Sequence, residues 1–397
     1  MSGNTYMKER FERLQNFMSR ERLAGILFLR PLKEGYNMWL TGCSQKDAQV
    51  SYLDKAMLAV AGGEKILSIS TPSLIEAGAE DPWLPHALPG EATTPYYINC
   101  TGFYGDYFRA MLRENHRLGL VNGNKLQLRV KNFIQKYAPD VEFVDVDREV
   151  HLLKAIKTDE ENGLIRKDCR NLEHVFAAMG TILRPNVTER DVVCGIRKGL
   201  LERGANGWDY SSQCLDVKLT SALMSGMSAI EPLEYPGRVL GMNDRVNIKV
   251  NASMAEGWHV SLGRCYVLGQ ADTETRECWN LAVKAQQAAA DCLKPGVTIS
   301  SVMNEVNKNI LKKSGFPEDT SNWIYSVGNA WAEYPMAVPG WWDTGLCKGM
   351  VLAVGPNVKP EGKDAYCCLD IYQIKDDGAV RLGDSSQELK ELFSTVF

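Results

Sequence analysis

The sequence predicts an α+β protein, with an α/β N-terminal domain at residues 1–150 and a second domain at residues 151–397. Three observations predict this architecture. Helical and strand patterns alternate over the first 150 residues, a segment repeats within the second part, and a polar/apolar alternation at residues 243–269 is typical of a β-hairpin. A chain of 397 residues is long enough to bury two hydrophobic cores.

The first domain begins with an amphipathic helix at residues 6–21, which apolar runs of strand length follow. Loops that contain glycine and proline separate these runs. The predicted strands are GILFL at 25–29, WLTG at 39–42, LAV at 58–60, LGLVNG at 118–123 and VEFVDV at 141–146. This mixture of helix and strands predicts the α/β class for the first domain.

The boundary between the domains is placed near residue 150, within the segment REVHLLKAIKTDEE. Thr158 and Glu161 have the spacing of a capping box, which predicts a helix that begins there. The buried stripe of that helix is predicted to contain Leu164, Ile165, Cys169, Leu172 and Phe176.

The second domain contains an internal repeat. LRPNVTERDVV begins at Leu183, and LKPGVTISSVM begins at Leu293. In each copy a helix ends at a turn that contains proline, a threonine starts a second helix, and strands follow. The repeat predicts a duplicated unit of two helices and a set of strands.

The alternation at residues 243–269 predicts a hairpin with one polar face. In VNIKVN, Lys249 and Asn251 lie on the face opposite Val250, and in WHVSLGR, His259 and Ser261 share a face. If the two runs pair across SMAEG, the Lys249 amine and the His259 imidazole project from the same face. That face is a candidate site.

Two segments resemble a known superfamily. They are SGMSAIEPLEYPGRVLGMNDRVNIKVNASMAEGWHVSLGRCYVLG, and GMVLAVGPNV with CCLDIYQIKDDG. They are similar to the ligand-bearing strands of the creatinase, aminopeptidase P and methionine aminopeptidase superfamily, which has the pita-bread fold. The resemblance implies a pita-bread second domain with two halves related by a pseudo-twofold axis and a site between them. It also implies a creatinase-type first domain.

The superfamily's metal ligands are absent at the matching positions. Its two aspartates fall at Lys249 and Ser261, its histidine at Val327, and its two glutamates at Gly355 and Leu369. Divalent metals require carboxylate or neutral imidazole ligands, and a lysine adds a second positive charge. We therefore expect no metal and no other cofactor, as in a metal-free creatinase-like or ectoine-hydrolase-like branch of the superfamily.

The creatinase pattern is also incomplete. The creatinase histidine falls at Leu233, which Glu231 and Glu234 flank. One of the two glutamates that bind guanidinium in creatinase falls at Gly263, and the other falls at Leu369, beside Asp370. Creatine itself is therefore not the expected substrate.

Four residues are candidate catalytic groups: Lys249, His259, Glu231 and Glu234. A desolvated Lys249 acts as a base or nucleophile, or stays charged and binds a carboxylate; on a wet hairpin face it would only be solvated. His259 is a proton shuttle or a buried structural side chain. Glu231 and Glu234, like Glu333, are general bases, partners for a cationic substrate, or surface charges.

Aromatic residues suggest how a substrate is held. Trp331 and Tyr334 lie in AWAEYP, which replaces a histidine-bearing segment of metal-containing relatives. Such rings bind ammonium or guanidinium groups, and they equally fill a core or a dimer interface. The candidate substrate-binding residues are Trp331, Glu333, Tyr334, Asn251, Trp258, Tyr366 and Asp370.

Composition limits the partners. The net charge is −4 with signs interspersed, so neither nucleic acid nor an anionic membrane is an expected partner. The N-terminus lacks the apolar core of a signal peptide, no stretch of about 18 apolar residues is present, and the eleven cysteines are scattered. We expect a cytoplasmic protein with reduced thiols, and the resemblance to creatinase implies a homodimer that acts on a small-molecule substrate.

These observations favour one function over two others. The favoured function is a metal-independent, creatinase-like hydrolase that cleaves a C–N bond in a small polar or zwitterionic metabolite. A lyase or decarboxylase acting on a similar substrate is the enzymatic alternative. The third hypothesis is a non-catalytic binding protein that has lost the superfamily's metal site and kept its pocket.

Overall fold

The computed structural model describes residues 5–29, 35–41, 55–63, 66–70, 97–99, 104–205, 215–221, 238–330 and 332–394. These residues form two compact units. The first contains the described residues up to Lys154, and the second contains those from Ala155 onward.

The first unit is a mixed β-sheet with helices. Its helices are α1 (Thr5–Arg20), α2 (Tyr36–Thr41), α3 (Tyr104–Met111), α4 (Leu128–Tyr137) and α5 (Asp147–Ala155), with a 3-10 turn at Gly123–Lys125. Its strands are β1 (Gly25–Leu29), β2 (Lys55–Val60), β3 (Ile66–Ser70), β4 (Tyr97–Asn99), β5 (Arg117–Val121) and β6 (Glu142–Asp145). The strand order is β4-β3-β2-β1-β5-β6.

Strand β1 runs through the middle of this sheet and is buried along its whole length. Leu27 and Leu29 pack into one hydrophobic cluster, whereas Ile26 and Phe28 pack into another. Because successive strand residues point to opposite faces, both faces of the sheet are covered. This is the arrangement that an α/β domain requires.

The run WLTG at 39–42 was predicted to be a strand, and that prediction is wrong. Helix α2 covers Tyr36–Thr41. Tyr36, Trp39 and Leu40 are all buried, and their i, i+3, i+4 spacing presents one apolar face of a helix. A short apolar run does not by itself distinguish a helix from a strand.

The second unit contains three sheets. Its helices are α6 (Asp159–Ala177), α7 (Met179–Ile182), α8 (Glu189–Glu202), α9 (Thr273–Cys292) and α10 (Ile299–Asn304), which continues through a π-helical segment (Glu305–Leu311) and a 3-10 turn (Lys312–Ser314). Four strands pair in the order β17-β9-β8-β7, with bounds Lys390–Leu392, His259–Leu268, Arg245–Ser253 and Leu215–Ser221.

The remaining strands complete the other two sheets. Five strands pair in the order β11-β10-β12-β15-β16, with bounds Glu333–Met336, Ile324–Ser326, Val351–Val354, Asp370–Ile374 and Ala379–Arg381. Strands β13 (Asn357–Val358) and β14 (Tyr366–Cys367) form the third sheet. An isolated bridge between Gly263 and Leu369 joins β9 to the residue before β15.

Helix starts in the second unit follow the sequence. Thr158 and Glu161 form the predicted capping box at the start of α6. Thr188 and Thr298, which lie at matching places in the two copies of the repeat, are the N-caps of α8 and α10. Each also makes an isolated β-bridge, to Val239 and to Gly345. A threonine oxygen that accepts a backbone N–H fixes each helix start.

The main core of the second unit lies between α6, α8 and the four-stranded sheet. Ile165, Cys169, Leu172 and Phe176 of α6 are buried in it, as their spacing predicts, and Leu164 packs at its edge. The even-numbered residues of β8 enter the same cluster. The odd-numbered residues of β8 therefore lie on the opposite face of the hairpin.

Candidate functional site

The β8–β9 hairpin carries a row of polar residues on one face. Lys249 pairs with Gly263, Asn251 with Ser261, and Ser253 with His259. Residues directly opposite each other in an antiparallel pair share a face, so the prediction that Lys249 and His259 lie on one face is confirmed. They are four residues apart along the ladder, which corresponds to about 14 Å between backbone positions. A single substrate atom therefore cannot contact both side chains, and a ligand that contacts both must span this distance.

Helix α6 holds the tip of this hairpin. The carboxylate of Asp168 accepts backbone N–H groups from Glu256 at 3.2 Å and from Trp258 at 3.3 Å. Lys167 also forms an ion pair with Glu256. Asp168 is fully buried, and burial raises its pKa from an ordinary 3.8 to about 7, against the opposing effect of the two backbone hydrogen bonds. No sequence signal identified this residue.

Trp258 belongs to the core and not to the polar face. It is 2% exposed and packs in the cluster that α6 and α8 cover. Its place in the alternation puts it on the same face as Val260 and Leu262. We therefore leave Trp258 out of the candidate substrate-binding residues.

Lys249 lies beside an aromatic residue that the sequence analysis did not single out for the site. Its Nζ is 6.0 Å from the centroid of the Tyr325 ring, and its side chain is half-buried. The Tyr325 hydroxyl is 3.0 Å from Oγ of Ser261. An ammonium near the face of a tyrosine ring is attracted to it, so Tyr325 helps to position Lys249 on the polar face of the hairpin. Tyr325 lies on β10, so only tertiary packing brings it to the hairpin.

Cys367 is the thiol in this neighbourhood. Burial raises the pKa of the Cys367 thiol, while the positive charge of Lys249 acts in the opposite direction. Sγ lies 3.2 Å from the carbonyl oxygen of Gly355. A thiol with a raised pKa is a poor nucleophile at neutral pH, so we assign Cys367 to the wall of the pocket.

His259 and Glu333 lie at the other end of the row, around Gly328. The backbone N–H of His259 donates to the Gly328 carbonyl at 2.9 Å, and the Glu333 carboxylate accepts from the backbone N–H of Ala330 at 3.0 Å. A Cβ at Gly328 would be 1.8 Å from the Glu333 carboxyl carbon, so residue 328 must be glycine for this packing. Both side chains are buried, at 2% and 4% exposed. The structure thus brings an imidazole and a carboxylate to the same backbone segment.

Apolar atoms fill the other side of the pocket, where Gly263, Gly355 and Leu369 meet. A Cβ at Gly263 would be 2.9 Å from Cβ of Leu369, and one at Gly355 would be 2.8 Å from Cδ1 of Leu369. Val327, whose N–H donates to the Val351 carbonyl at 2.8 Å, belongs to the same buried cluster as Leu369. The contacts among Gly263, Gly355 and Leu369 are therefore made by apolar atoms and backbone.

Asp370 serves an internal ion pair. Its carboxylate accepts from Arg264 at 2.7 Å, from Gln387 at 2.8 Å and from Gln286 at 3.0 Å. Arg264 is 3% exposed and also donates to the Ser385 hydroxyl at 2.6 Å. Because these donors occupy the carboxylate, we do not place Asp370 among the substrate-binding residues. Arg264 therefore has a structural role, in which it joins β9 to the start of β15.

Tyr366 lies away from the Lys249–His259 region. Its hydroxyl donates to Oγ1 of Thr275 at 3.3 Å, and the guanidinium of Arg245 stacks on its ring at 4.2 Å from the centroid. Arg245 is the first residue of β8, and His259 pairs with the last. Tyr366 thus belongs to the far end of the hairpin.

The other candidates divide into two groups. Tyr334 stacks on Trp341, with ring centroids 4.6 Å apart, and lies on β11 next to Glu333. Asn251 is buried in the middle of the polar row. Three further candidates lie outside the described residues: Glu231, Glu234 and Trp331.

Comparison with known proteins identifies the family. The model of metallopeptidase family M24 matches residues 163–386, which is more than half of the 397 residues. The chain belongs to metallopeptidase family M24. No helix within the described ranges is both long and apolar enough to cross a bilayer.

Three proteins similar to this chain carry the names of peptidases. A probable dipeptidase PepE from Mycobacterium bovis is 26% identical over 239 residues, which is 60% of this chain and 60% of that relative's length. An Xaa-Pro dipeptidase from Pyrococcus furiosus is 24% identical over 387 residues, covering 96% of this chain and 100% of the relative. The crystal structure of an X-Pro aminopeptidase from Thermotoga maritima superposes with a TM-score of 0.74 at 17% identity, covering 96% and 99%. The mixed α+β fold is therefore that of M24 structures, and the relatives support a hydrolase.

Family M24 is a family of metallopeptidases, but the residues of this chain are not suited to bind a metal ion. At the positions that the resemblance assigns to ligands stand Lys249, Ser261, Val327, Gly355 and Leu369. One hydroxyl and one ammonium are no substitute for carboxylates and imidazole. Within the part of the chain that the structure describes, no group of three or more histidine, cysteine, aspartate or glutamate side chains is arranged to hold a metal. Leu369 also occupies the space that a glutamate at residue 355 would need.

Proposed function

We propose that this M24 protein is a metal-independent, creatinase-like hydrolase that cleaves a C–N bond in a small polar or zwitterionic molecule. The observation that carries the proposal is the polar row of the hairpin, with a half-buried lysine at one end and a buried histidine at the other. At the histidine end, His259 and the buried Glu333 both pack around Gly328. By the resemblance, this row matches the strands that carry the first ligands in metal-bearing relatives. The relatives named dipeptidases support the bond type, because an amide is also a C–N bond.

The spacing of the row suggests how a substrate would lie. Lys249 and His259 are about 14 Å apart at the backbone and lie on the same face of the hairpin. A molecule with a carboxylate at one end and an amide or amidine nitrogen near the other matches this separation. The Lys249 ammonium would bind the carboxylate by a charge-assisted hydrogen bond, next to the Tyr325 ring.

The chemistry would then take place at the histidine end. His259 would accept a proton from a water molecule as that water attacks the carbon of the C–N bond. The same imidazole would return the proton to the leaving nitrogen, so that one water is consumed and a carboxyl product and an amine are formed. Glu333, buried against Gly328, would favour the imidazolium that exists between these two steps.

Aromatic groups would hold the nitrogen end of the substrate. Tyr334, stacked on Trp341, adjoins Glu333 on β11 and offers a ring to a cationic nitrogen. Asn251 lies midway along the row and would hydrogen bond to the centre of the substrate. Trp331, Glu231 and Glu234 keep the roles that the sequence analysis gave them, as cage residue and as general bases.

One observation favours a second function, which is ligand binding without catalysis. Where Gly263, Gly355 and Leu369 meet, the contacts among the described residues are made by apolar atoms and backbone, and none of these three side chains could polarise a carbonyl. A lyase or decarboxylase would use the same Lys249 and His259 without a water nucleophile. All three hypotheses assume the same class of ligand. They differ in whether the ligand is hydrolysed, cleaved without water, or only bound.

An unbiased depletion assay separates these functions. Purified protein is incubated with a metabolite extract, and consumed and formed compounds are identified by mass spectrometry. The proposal expects a substrate that gains one water, and expects His259→Gln to lose turnover while the exposed control His116→Gln keeps it. A product that has lost carbon dioxide would show a decarboxylase. A bound but unaltered compound would show a binding protein.

A cytoplasmic homodimer is part of the same proposal. Support for a reducing compartment comes from the cysteines in the described residues, all eight of which are free thiols. They are Cys169, Cys194, Cys265, Cys278, Cys292, Cys347, Cys367 and Cys368. Support for the dimer comes from the resemblance to creatinase, in which the first domain of one subunit helps to close the site of the other.

A further inference from the structure

A second cavity lies at the opposite end of the hairpin from His259. It has a volume of about 300 Å³ and is lined by Asn243, Arg245, Val267, Gln270, Ala271, Asp272 and Thr275. Arg245 is eight residues from Ser253, the partner of His259, which corresponds to about 27 Å along β8. The cavity is therefore separate from the site proposed above, and it adjoins the start of the 20-residue helix α9.

The base of this cavity holds a buried cation. Arg245 is 6% exposed, and its Nε has no hydrogen-bond partner within the described residues. Its guanidinium stacks on Tyr366 and also interacts with the hydroxyl of that residue. Because a buried charge with an unmet donor is costly, the unpartnered Nε–H makes Arg245 suited to an anionic group that enters the cavity.

Nearby carboxylates do not occupy Arg245. Asp272 and Asp364 are close enough for Coulombic attraction, but no hydrogen bond joins either of them to the guanidinium. Asp272 is the N-cap of α9, where its Oδ1 accepts from the Thr275 N–H at 2.7 Å. The Thr275 hydroxyl accepts from Tyr366 and also hydrogen bonds to the Asp272 carboxylate.

The rim of the cavity has the opposite charge from its base. Asn243, Gln270 and Asp272 are exposed, whereas Arg245, Val267 and Thr275 are buried. A carboxylate at the base would receive the donors of Arg245, and the negative charge of Asp272 would attract an ammonium at the rim. A volume of about 300 Å³ is at the lower end of ligand cavities, which limits the ligand to a small molecule.

We infer that this cavity binds a small α-amino acid, with its carboxylate on Arg245 and its ammonium on Asp272. The two charges of an α-amino acid are separated by one carbon, which suits a buried cation and an exposed anion on one wall. A simple carboxylate or phosphate would pair with Arg245 but would bring no ammonium for Asp272.

The test uses four probes with the purified full chain in titration calorimetry: L-alanine, propionate, ethylamine and inorganic phosphate. Propionate lacks only the amine of alanine, and ethylamine lacks only the carboxylate. Alanine is expected to bind at least about tenfold more tightly than either, because each removes one charge-assisted contact. Propionate or phosphate binding as tightly as alanine would show a plain anion site and overturn the inference, as would the absence of alanine binding.

Two substitutions locate the ligand. Arg245→Met should weaken alanine binding by about tenfold or more, whereas the exposed control Arg203→Met should not. Asp272→Asn should reduce the affinity for alanine to that for propionate, and it keeps the fold because asparagine caps a helix as well as aspartate does. If Arg245→Met fails to fold, Asp272→Asn decides the question. An unchanged preference for alanine in Asp272→Asn would overturn the assignment.

Discussion

Leu369 lies so close to Gly355 that a Cβ on residue 355 would be 2.8 Å from Leu369 Cδ1 and 2.9 Å from Cys367 Sγ. The resemblance assigns both positions to glutamate ligands of metal-bearing relatives. The glycine and the leucine form a complementary apolar pair at these positions. The same leucine lies against Gly263 of β9, so it closes the pocket on two sides.

This packing predicts that Gly355→Ala is destabilising. A contact of 2.8 Å is too short for two carbon atoms, so Leu369 or the strand must shift, at a cost of about 1–3 kcal/mol in the free energy of unfolding. Gly378→Ala is the matched control, because no atom lies within 4 Å of a Cβ there. Urea denaturation measures both. Equal stabilities for the two variants would contradict the packing, and adding Leu369→Ala should recover part of the loss at residue 355.

Lys249 is predicted to anchor the ligand and not the fold. Lys249→Met should retain the melting temperature and lose the stabilisation by carboxylate-bearing zwitterions, such as betaine-like or cyclic amidine carboxylates. In the unaltered protein a ligand at about 100 times its dissociation constant adds roughly 2.7 kcal/mol. Thermal shift measures this, with the exposed Lys313→Met as control. The corresponding esters and neutral amides should have no effect on either protein. A ligand response that survives Lys249→Met would indicate that this lysine is only solvated.

Asp168 predicts a dependence of stability on pH. Its pKa rises from 3.8 to about 7 on folding, so the folded state binds more protons than the unfolded state between these values. The free energy of unfolding contributed by this group is therefore highest below about pH 4 and falls as the pH rises through 7. An amide resembles the protonated acid, so Asp168→Asn should remove a decline of about 2 to 4 kcal/mol. Urea denaturation at several pH values tests this, with Asp376→Asn, an exposed position, as control.

Metal analysis gives a further prediction. The purified protein should contain no stoichiometric manganese, zinc or iron after dialysis, and a chelator should alter neither its melting temperature nor its turnover. The reason is the donor set, in which an ammonium, a hydroxyl and three side chains without donor atoms stand at the ligand positions. Retention of a stoichiometric transition metal in elemental analysis would contradict it.

The expected dimer is tested by mass. Light scattering at micromolar concentration should give about twice the chain mass of 44.3 kDa. The expectation comes from the resemblance to creatinase, where the partner subunit completes the site. A monomer mass would remove any contribution of a partner to the proposed pocket.

The hairpin could be predicted from sequence, because its alternation has a period of two and its polar row is unbroken. Pairing across the turn then placed Lys249 and His259 on one face, and the register confirms this. The capping box at Thr158 was likewise local information. Signals within a few residues of each other determined both features.

The surroundings of the hairpin could not be predicted in the same way. Tyr325 meets Ser261 across 64 positions of sequence, and Arg264 meets Asp370 across 106. Asp370 resembled a binding residue in sequence, and the packing of β9 against β15 uses it in an ion pair. Trp258 lay beside the candidate histidine in sequence, and the alternation that places His259 in the pocket places Trp258 in the core. Contacts of this kind depend on how distant elements pack.

The apolar pair of Gly355 and Leu369 also bears on how a metal site could be engineered here. A glutamate introduced at residue 355 would collide with the leucine, and one introduced at residue 369 would bury a carboxylate in an apolar cluster with Lys249 as the nearby cation. Each single substitution is therefore costly, and neither provides a metal site by itself. A designed site would have to change the apolar pair and the other donor positions together.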